Sequence, residues 1–227
     1  MIFDYERRPD KIYEQSFSII RKEADLTSFS NLEEKIAVRM IHALGFIGLE
    51  KYIQFTPDFV SKVRDALERG ARIICDTRMV SEGITKARLP ADNEIICTLN
   101  DKSVPDIAKR ISNTRTAAAI HLWEDYIQDS LIVFGNAPTA LFYLLEFLGK
   151  RKNLKPAGIM GCPVGFVGAA ESKQALIEVK TLNSLVVKGR LGGSAVAVAA
   201  VNALAQEKEY ICIIYIASGL GQVILSY

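Results

Sequence analysis

Two histidines, His42 and His121, are the only imidazoles among the 227 residues, so proton transfer near neutral pH has few carriers. Lys35, Arg39 and His42 recur at i, i+4 and i+7, whereas Leu32, Ile36 and Met40 repeat along another face, so the histidine shares a cationic helix face. Nearby positive charge lowers an imidazole pKa in the free protein, and a bound polycarboxylate raises it again. That behaviour suits an acid that protonates an anionic substrate. The same spacing also describes a surface histidine on an ordinary charged face. His121 stands four residues before Asp125, where a hydrogen bond along a helix surface accounts for it. Arg115 follows Ser112-Asn113-Thr114, which reads as a helix start. A cation there opposes the helix dipole and suggests an anion clamp, although pairing with a surface carboxylate would explain it equally well. Asp76 and Glu82 complete no ligand set with either histidine, so no metal site is expected.

A second concentration of chemistry lies at Gly161-Cys162-Pro163-Val164-Gly165-Phe166-Val167-Gly168, between a short apolar run and a helical one. Its glycines let backbone approach a ligand, and the helix beyond directs unpaired N–H groups and a positive dipole end at an anion. The spacing is neither a dinucleotide fingerprint nor a phosphate P-loop, and glycines kept for close strand–helix packing would produce it too.

These residues need a scaffold, and the apolar pattern describes one. After an N-terminal third that reads as three helices, short apolar runs at 72–75, 94–97, 131–134, 158–160 and 185–187 alternate with helical segments at 80–86, 113–126, 138–148, 169–179 and 194–205. Pro9 to Glu23 forms the first helix. Ser30-Asn31-Leu32-Glu33 is a capping box that opens the second, and Gly45 stops it. Thr56-Pro57 caps a third that buries Phe59, Val63 and Leu67 and ends at Gly70. The alternation implies an α/β, three-layer, flavodoxin-like parallel sheet with helices on both faces. Ligands then belong at the carboxyl ends of the strands, at Asp76-Thr77-Arg78-Met79, Gly135-Asn136-Ala137-Pro138-Thr139 and the glycine stretch.

At 49% hydrophobic residues and a net charge of +2, the chain supports one sizeable core and no nucleic-acid surface driven by bulk charge. Cys75, Cys97, Cys162 and Cys212 form no C-x-x-C pair and read as reduced and mostly buried. The first residues carry acids and no apolar run of signal-peptide length, so a cytoplasmic location is expected. The segment from Tyr210 to Tyr227 is uncharged, yet its Ser218, Gly219, Gly221 and Gln222 make it a poor membrane span; a packed strand or subunit contact fits better.

Taken together, Arg39-Met40-Ile41-His42-Ala43, Ser112-Asn113-Thr114-Arg115-Thr116-Ala117-Ala118-Ala119, Gly135-Asn136-Ala137-Pro138-Thr139-Ala140-Leu141, Pro163-Val164-Gly165-Phe166-Val167-Gly168-Ala169-Ala170-Glu171-Ser172-Lys173 and Gly189-Arg190-Leu191-Gly192-Gly193-Ser194-Ala195 resemble the precorrin-8X methylmutase family. The resemblance runs in order from about Tyr5 to about Ala205 and leaves 206–227 as an apolar extension of a single domain spanning 1–227. It implies a flavodoxin-like homodimer with active sites near the subunit interface. It also implies an isomerase that moves the C-11 methyl group of a polycarboxylated tetrapyrrole to C-12 without a cofactor. On this resemblance His42 is the proton donor and Arg115 helps hold the acid side chains, while Ser16 and Thr85 line the pocket. Arg39 and the helix N-termini near Asn136, Gly165 and Gly168 are further candidates for binding the substrate. Met79, Val80, Val164 and Phe166 are candidate apolar walls. Leu44 departs from the cysteine of some relatives. A noncatalytic tetrapyrrole carrier would share the same pocket, and a nucleotide-dependent oxidoreductase would share the sheet without an acid placed for a ribose.

Overall fold

A six-stranded sheet forms the middle layer of the protein, in a computed structural model that describes residues 2–206. Its strands are β1 (Ile53–Phe55), β2 (Ile73–Cys75), β3 (Ile95–Ile96), β4 (Leu131–Phe134), β5 (Gly158–Gly161) and β6 (Ser184–Val187), in the spatial order β1-β6-β5-β4-β2-β3. From β2 onward every pairing is parallel, and these five strands have the flavodoxin-like order expected from the alternation. The edge strand β1 was not anticipated. It runs antiparallel to β6, pairing Ile53 with Val187 and Phe55 with Leu185. Three residues beside a helix-start signal are too few to show a period of two.

Four of the parallel strands, β2, β4, β5 and β6, are fully buried and almost wholly apolar because both faces are covered, while β3 at the edge is partly buried. Ile73, Leu131, Val133, Met160, Leu185 and Val187 point to one side, where they join α2 (Asn31–Leu44), α3 (Phe59–Glu68) and α9 (Ser194–Leu204). Ile74, Ile132, Phe134, Ile159 and Val186 point to the other, against α7 (Pro138–Lys150) and α8 (Ala169–Glu178). Burying each such side chain contributes about 1.5–3 kcal/mol, so the two layers specify the strand register through the alternation itself.

The helix boundaries follow local chemistry closely in the first third. α1 spans Pro9–Glu23. At the start of α2 the Ser30 backbone N–H and hydroxyl both donate to the Glu33 carboxylate, at 2.9 and 2.7 Å, and Gly45 closes the helix in the left-handed region at φ 63°. α3 begins later than its Thr-Pro signal implied. The Thr56 hydroxyl accepts the Ser184 N–H at 2.9 Å, extending the β1–β6 pairing instead of capping a helix. α4 (Arg78–Gly83) stops short of Lys86, and a 3-10 turn, Lys86–Arg88, follows it. α5 (Val104–Arg110) went unnoticed in the sequence because it has barely two turns. The segment expected as one helix over 113–126 is α6 (Arg115–Ala119) followed by two 3-10 turns. That change of winding also alters the partner of His121, which hydrogen-bonds the Tyr143 hydroxyl at 2.7 Å and not Asp125. Cys75 and Cys162 are buried and Cys97 is partly buried, all three as free thiols. Cys212 and the apolar segment 210–227 lie outside the described residues.

Candidate functional site

α1 and α2 together build an aromatic and cationic site. Tyr13, Ser16 and Phe17 occupy one face of α1 at i, i+3 and i+4. Arg39 and His42, three apart on α2, face the same two rings. The His42 imidazole stands edge-on to Phe17 at 5.3 Å and tilted against Tyr13 at 5.7 Å. The Arg39 guanidinium lies 5.8 Å from the Tyr13 ring centre and 5.6 Å from that of Phe17. Partial burial lowers the His42 pKa from its ordinary value, and the Arg39 charge lowers it further. This is the direction expected from the shared cationic face, with desolvation as the larger cause. Ser16 is half-buried and donates its hydroxyl to the Ile12 carbonyl at 2.7 Å.

Thr85 lies in the turn between α4 and the Lys86–Arg88 segment, and a residue that sequence reasoning missed holds it there. Asn202, a buried amide in α9, whose other residues after Ser194 are apolar, accepts the Thr85 N–H at 2.9 Å and donates to the Gly83 carbonyl at 3.3 Å. Arg88 donates to the backbone carbonyl of the same asparagine at 3.1 Å. A polar residue inside the apolar body of a helix is the signal that could have found this anchor, since burying an amide without partners is costly.

At the carboxyl ends of β2 and β4 the dominant residue is Asp76. Its carboxylate accepts the backbone N–H groups of Gly135 at 3.1 Å, Asn136 at 2.8 Å and Ala137 at 2.9 Å. Burial raises its pKa, and the three amides pull it part of the way back. The amides before α7, expected to be open to a ligand, are therefore occupied by the protein, and Asn136 offers its exposed side chain in their place. Val80, expected as a pocket wall, is fully buried beneath Gly135. Beside this turn the Thr114 hydroxyl caps α6 by accepting the Ala117 N–H at 3.2 Å, and it also hydrogen-bonds the Thr139 hydroxyl at 2.9 Å. Arg115 is exposed, with long hydrogen bonds to the Leu99 carbonyl at 3.3 Å and Asn100 at 3.4 Å. None of these contacts reaches the His42 site.

The glycine stretch after β5 is tied to the loop after β6. Gly165 N–H donates to the Arg190 carbonyl at 3.2 Å, and Gly193 N–H to the Cys162 carbonyl at 2.8 Å. A Cβ on Gly192, whose φ is 148°, would stand only 2.4 Å from that Cys162 oxygen, so only glycine allows the two loops to approach this closely. Lys173, fully buried in α8, completes the tie by donating to the carbonyls of Pro163 at 2.7 Å and Leu191 at 2.6 Å. Burial lowers its pKa to about 8, while burial pushes the neighbouring Cys162 thiol up to about 12. Gly168 starts α8 in the left-handed region at φ 76°. The tied loops present Phe166 and Val167 at 83% and 89% exposure, with the Arg190 guanidinium 5.2 Å from the Phe166 ring centre. An apolar platform and cationic groups thus lie on one sheet edge, a combination suited to a flat, acidic ligand.

A sequence model of the precorrin-8X methylmutase family matches residues 11–207. The chain is 54% identical over 205 residues to the precorrin-8X methylmutase of a Sinorhizobium species, covering 90% of this chain and 97% of that protein. It is 51% identical to the enzyme of the same name from Pseudomonas aeruginosa, covering 92% and 100% respectively. A cobalt-precorrin-8 methylmutase from Leptospira interrogans is 36% identical over 85% of this chain and 91% of its own length. The crystal structure of a precorrin-8X methylmutase from Thermus thermophilus superimposes with a TM-score of 0.76 at 36% identity, covering 86% of this chain and 95% of that one.

Proposed function

The chain belongs to the precorrin-8X methylmutase family, and from that premise we propose that it converts precorrin-8X into hydrogenobyrinate by moving the C-11 methyl group to C-12, with His42 as proton donor. It is an isomerase of cobalamin biosynthesis. Higher identity to the relatives named for precorrin-8X favours the cobalt-free substrate over its cobalt counterpart.

The observation that carries the role of His42 is its packing against Phe17 and Tyr13 beside Arg39. A [1,5]-sigmatropic methyl shift needs no net electron or atom exchange with the protein. What the protein supplies is a proton at one ring position and a fixed geometry. In the free protein, burial and Arg39 hold the imidazole towards its neutral form. A substrate carboxylate seated on Arg39 cancels that repulsion and adds negative potential, so binding favours the imidazolium that donates the proton. Ser16, Thr85 and the exposed Asn136 side chain contribute polar contacts. The Gly165–Gly168 turn brings backbone and the start of α8 to the acid side chains.

Arg115 and the tied glycine loops fit this reading as part of a homodimer. The exposed Met79, Val164, Phe166 and Val167 would face a second subunit or the macrocycle, so that each ring lies against groups from both copies. The free thiols and the family's substrate are consistent with a cytoplasmic enzyme.

The test follows the visible spectrum of wild-type protein and His42→Ala mixed with precorrin-8X. Wild type converts the chromophore to that of the corrin, and His42→Ala loses about 100- to 10,000-fold in turnover while it still binds. Binding without spectral conversion by wild type would mark a tetrapyrrole carrier. Equal turnover by the two proteins would remove the proton-donor role.

A further inference from the structure

The ends of α7 and α8 leave a cleft of about 480 Å³ between them, a size usual for small-molecule sites. It lies beside the segments that lead into β5 and β6, at the opposite end of the sheet from the tied glycine loops. Leu145, Leu148, Leu154, Val179 and Leu182 supply apolar walls, and the leucines among them are continuous with the core on that face. Gly149 keeps the cleft open. It lies inside α7, its φ is not positive, and a Cβ there would meet nothing within 4 Å. Neither a turn nor a close approach requires glycine at this position, although glycine weakens a helix relative to ordinary side chains.

Lys152, Lys155 and Thr181 are the exposed polar groups of the rim, and no acidic residue lines the cleft among the described residues. Neither ammonium group has a hydrogen bond or ion pair among the described residues. The basic groups beside them are occupied. Arg151 donates to the Glu124 carboxylate at 2.8 Å and lies 3.8 Å from the Phe147 ring centre, and Lys180 donates to the Ile177 carbonyl near the end of α8 at 3.1 Å. The Arg151 N–H serves the Leu148 carbonyl at the end of α7 at 3.0 Å.

We propose that this cleft binds a free alkyl carboxylate of medium chain length, with the chain against the leucine walls and the carboxylate held by Lys152 and Lys155. An apolar body gains by leaving water, and an anionic head finds two cations and a hydroxyl with no competing acid. An amphiphile therefore matches the cleft in both parts. If the two lysines served only to offset the negative dipole ends of α7 and α8, they would matter for stability and for no ligand. Binding at this end of the sheet does not depend on turnover, so it stands apart from the methylmutase reading.

Calorimetric titration of the full chain with hexanoate, octanoate and decanoate tests this, with decylamine as the length-matched cation. Binding saturates, and affinity rises by up to about fifteenfold for each two carbons added, the value for two fully buried methylenes. Decylamine binds at least ~5-fold more weakly than decanoate. Gly149→Phe fills the space, keeps a Tm at or above that of wild type and abolishes decanoate binding. The double variant Lys152→Glu, Lys155→Glu stays within about 2 °C of the wild-type Tm and loses at least ~5-fold in decanoate affinity. The proposal is overturned by no saturable binding of decanoate, or by a change of less than about twofold between hexanoate and decanoate. Equal binding of decylamine, or undiminished binding by Gly149→Phe, would overturn it as well. A lowered Tm in the double variant without loss of affinity would do the same, by assigning the lysines to the helix ends.

Discussion

Replacing Asp76 by alanine isolates the device that holds the turn before α7. Three backbone N–H groups, of Gly135, Asn136 and Ala137, converge on this one carboxylate at 2.8–3.1 Å. Orphaning a buried donor costs about 1–3 kcal/mol, so three would cost roughly 3–9 kcal/mol if none found another acceptor. Two effects reduce that figure: water can enter the space left by the side chain, and the unfavourable burial of the charge disappears, a penalty visible in the raised pKa of Asp76. The expected net loss is about 3–5 kcal/mol. Asp76→Asn keeps an oxygen for the Asn136 and Ala137 amides but turns its NH2 group towards Gly135, so it costs less, about 1–3 kcal/mol. Urea unfolding followed by the fluorescence of Trp123, which is 1% exposed, measures both. The sign of the pH dependence gives a second check. The folded state holds the Asp76 proton more tightly than the unfolded chain, so lowering the pH through the folded-state pKa stabilises wild type relative to the non-titrating Asp76→Asn. A loss below ~1 kcal/mol for Asp76→Ala, or an asparagine variant as unstable as the alanine one, would refute the argument that these amides depend on the carboxylate.

Lys173 has a folded-state pKa of about 8, below that of an unfolded lysine, so wild-type stability rises with pH between about 8 and 10.5 as the unfolded chain gives up its extra proton. Relative to Lys173→Met, wild type gains roughly 2 kcal/mol across that window, the full shift being discounted for partial screening; denaturant midpoints of both proteins at several pH values measure it, and parallel curves would count against the buried amine. In free protein, NMR titration should place the His42 imidazole below the ordinary histidine value, and Arg39→Gln should raise it only partway because desolvation is the larger cause. No change on removing Arg39 would separate the two side chains electrostatically.

The elements that place the site were largely legible in the sequence. Ser30 and Glu33 announced the start of the helix carrying Arg39 and His42, and Gly45 announced its end. The five parallel strands showed as apolar runs, four of them fully buried with both faces covered and the edge strand Ile95–Ile96 partly buried. The shared cationic face foretold the direction in which the His42 pKa moves, and the resemblance to the methylmutases carried the family. Other features were invisible: the antiparallel edge strand Ile53–Phe55, the breaking of the 113–126 segment into turns, and the burial of Asp76, Arg88 and Lys173. Asp76 reads in the sequence as one more polar loop residue, yet it sits buried under amides 59 to 61 positions away, and Lys173 holds carbonyls of two different loops. Periodicity records how a single element divides its faces between core and solvent. Whether a charged side chain finds its partners inside depends on backbone groups from distant segments, and only the tertiary structure brings those together.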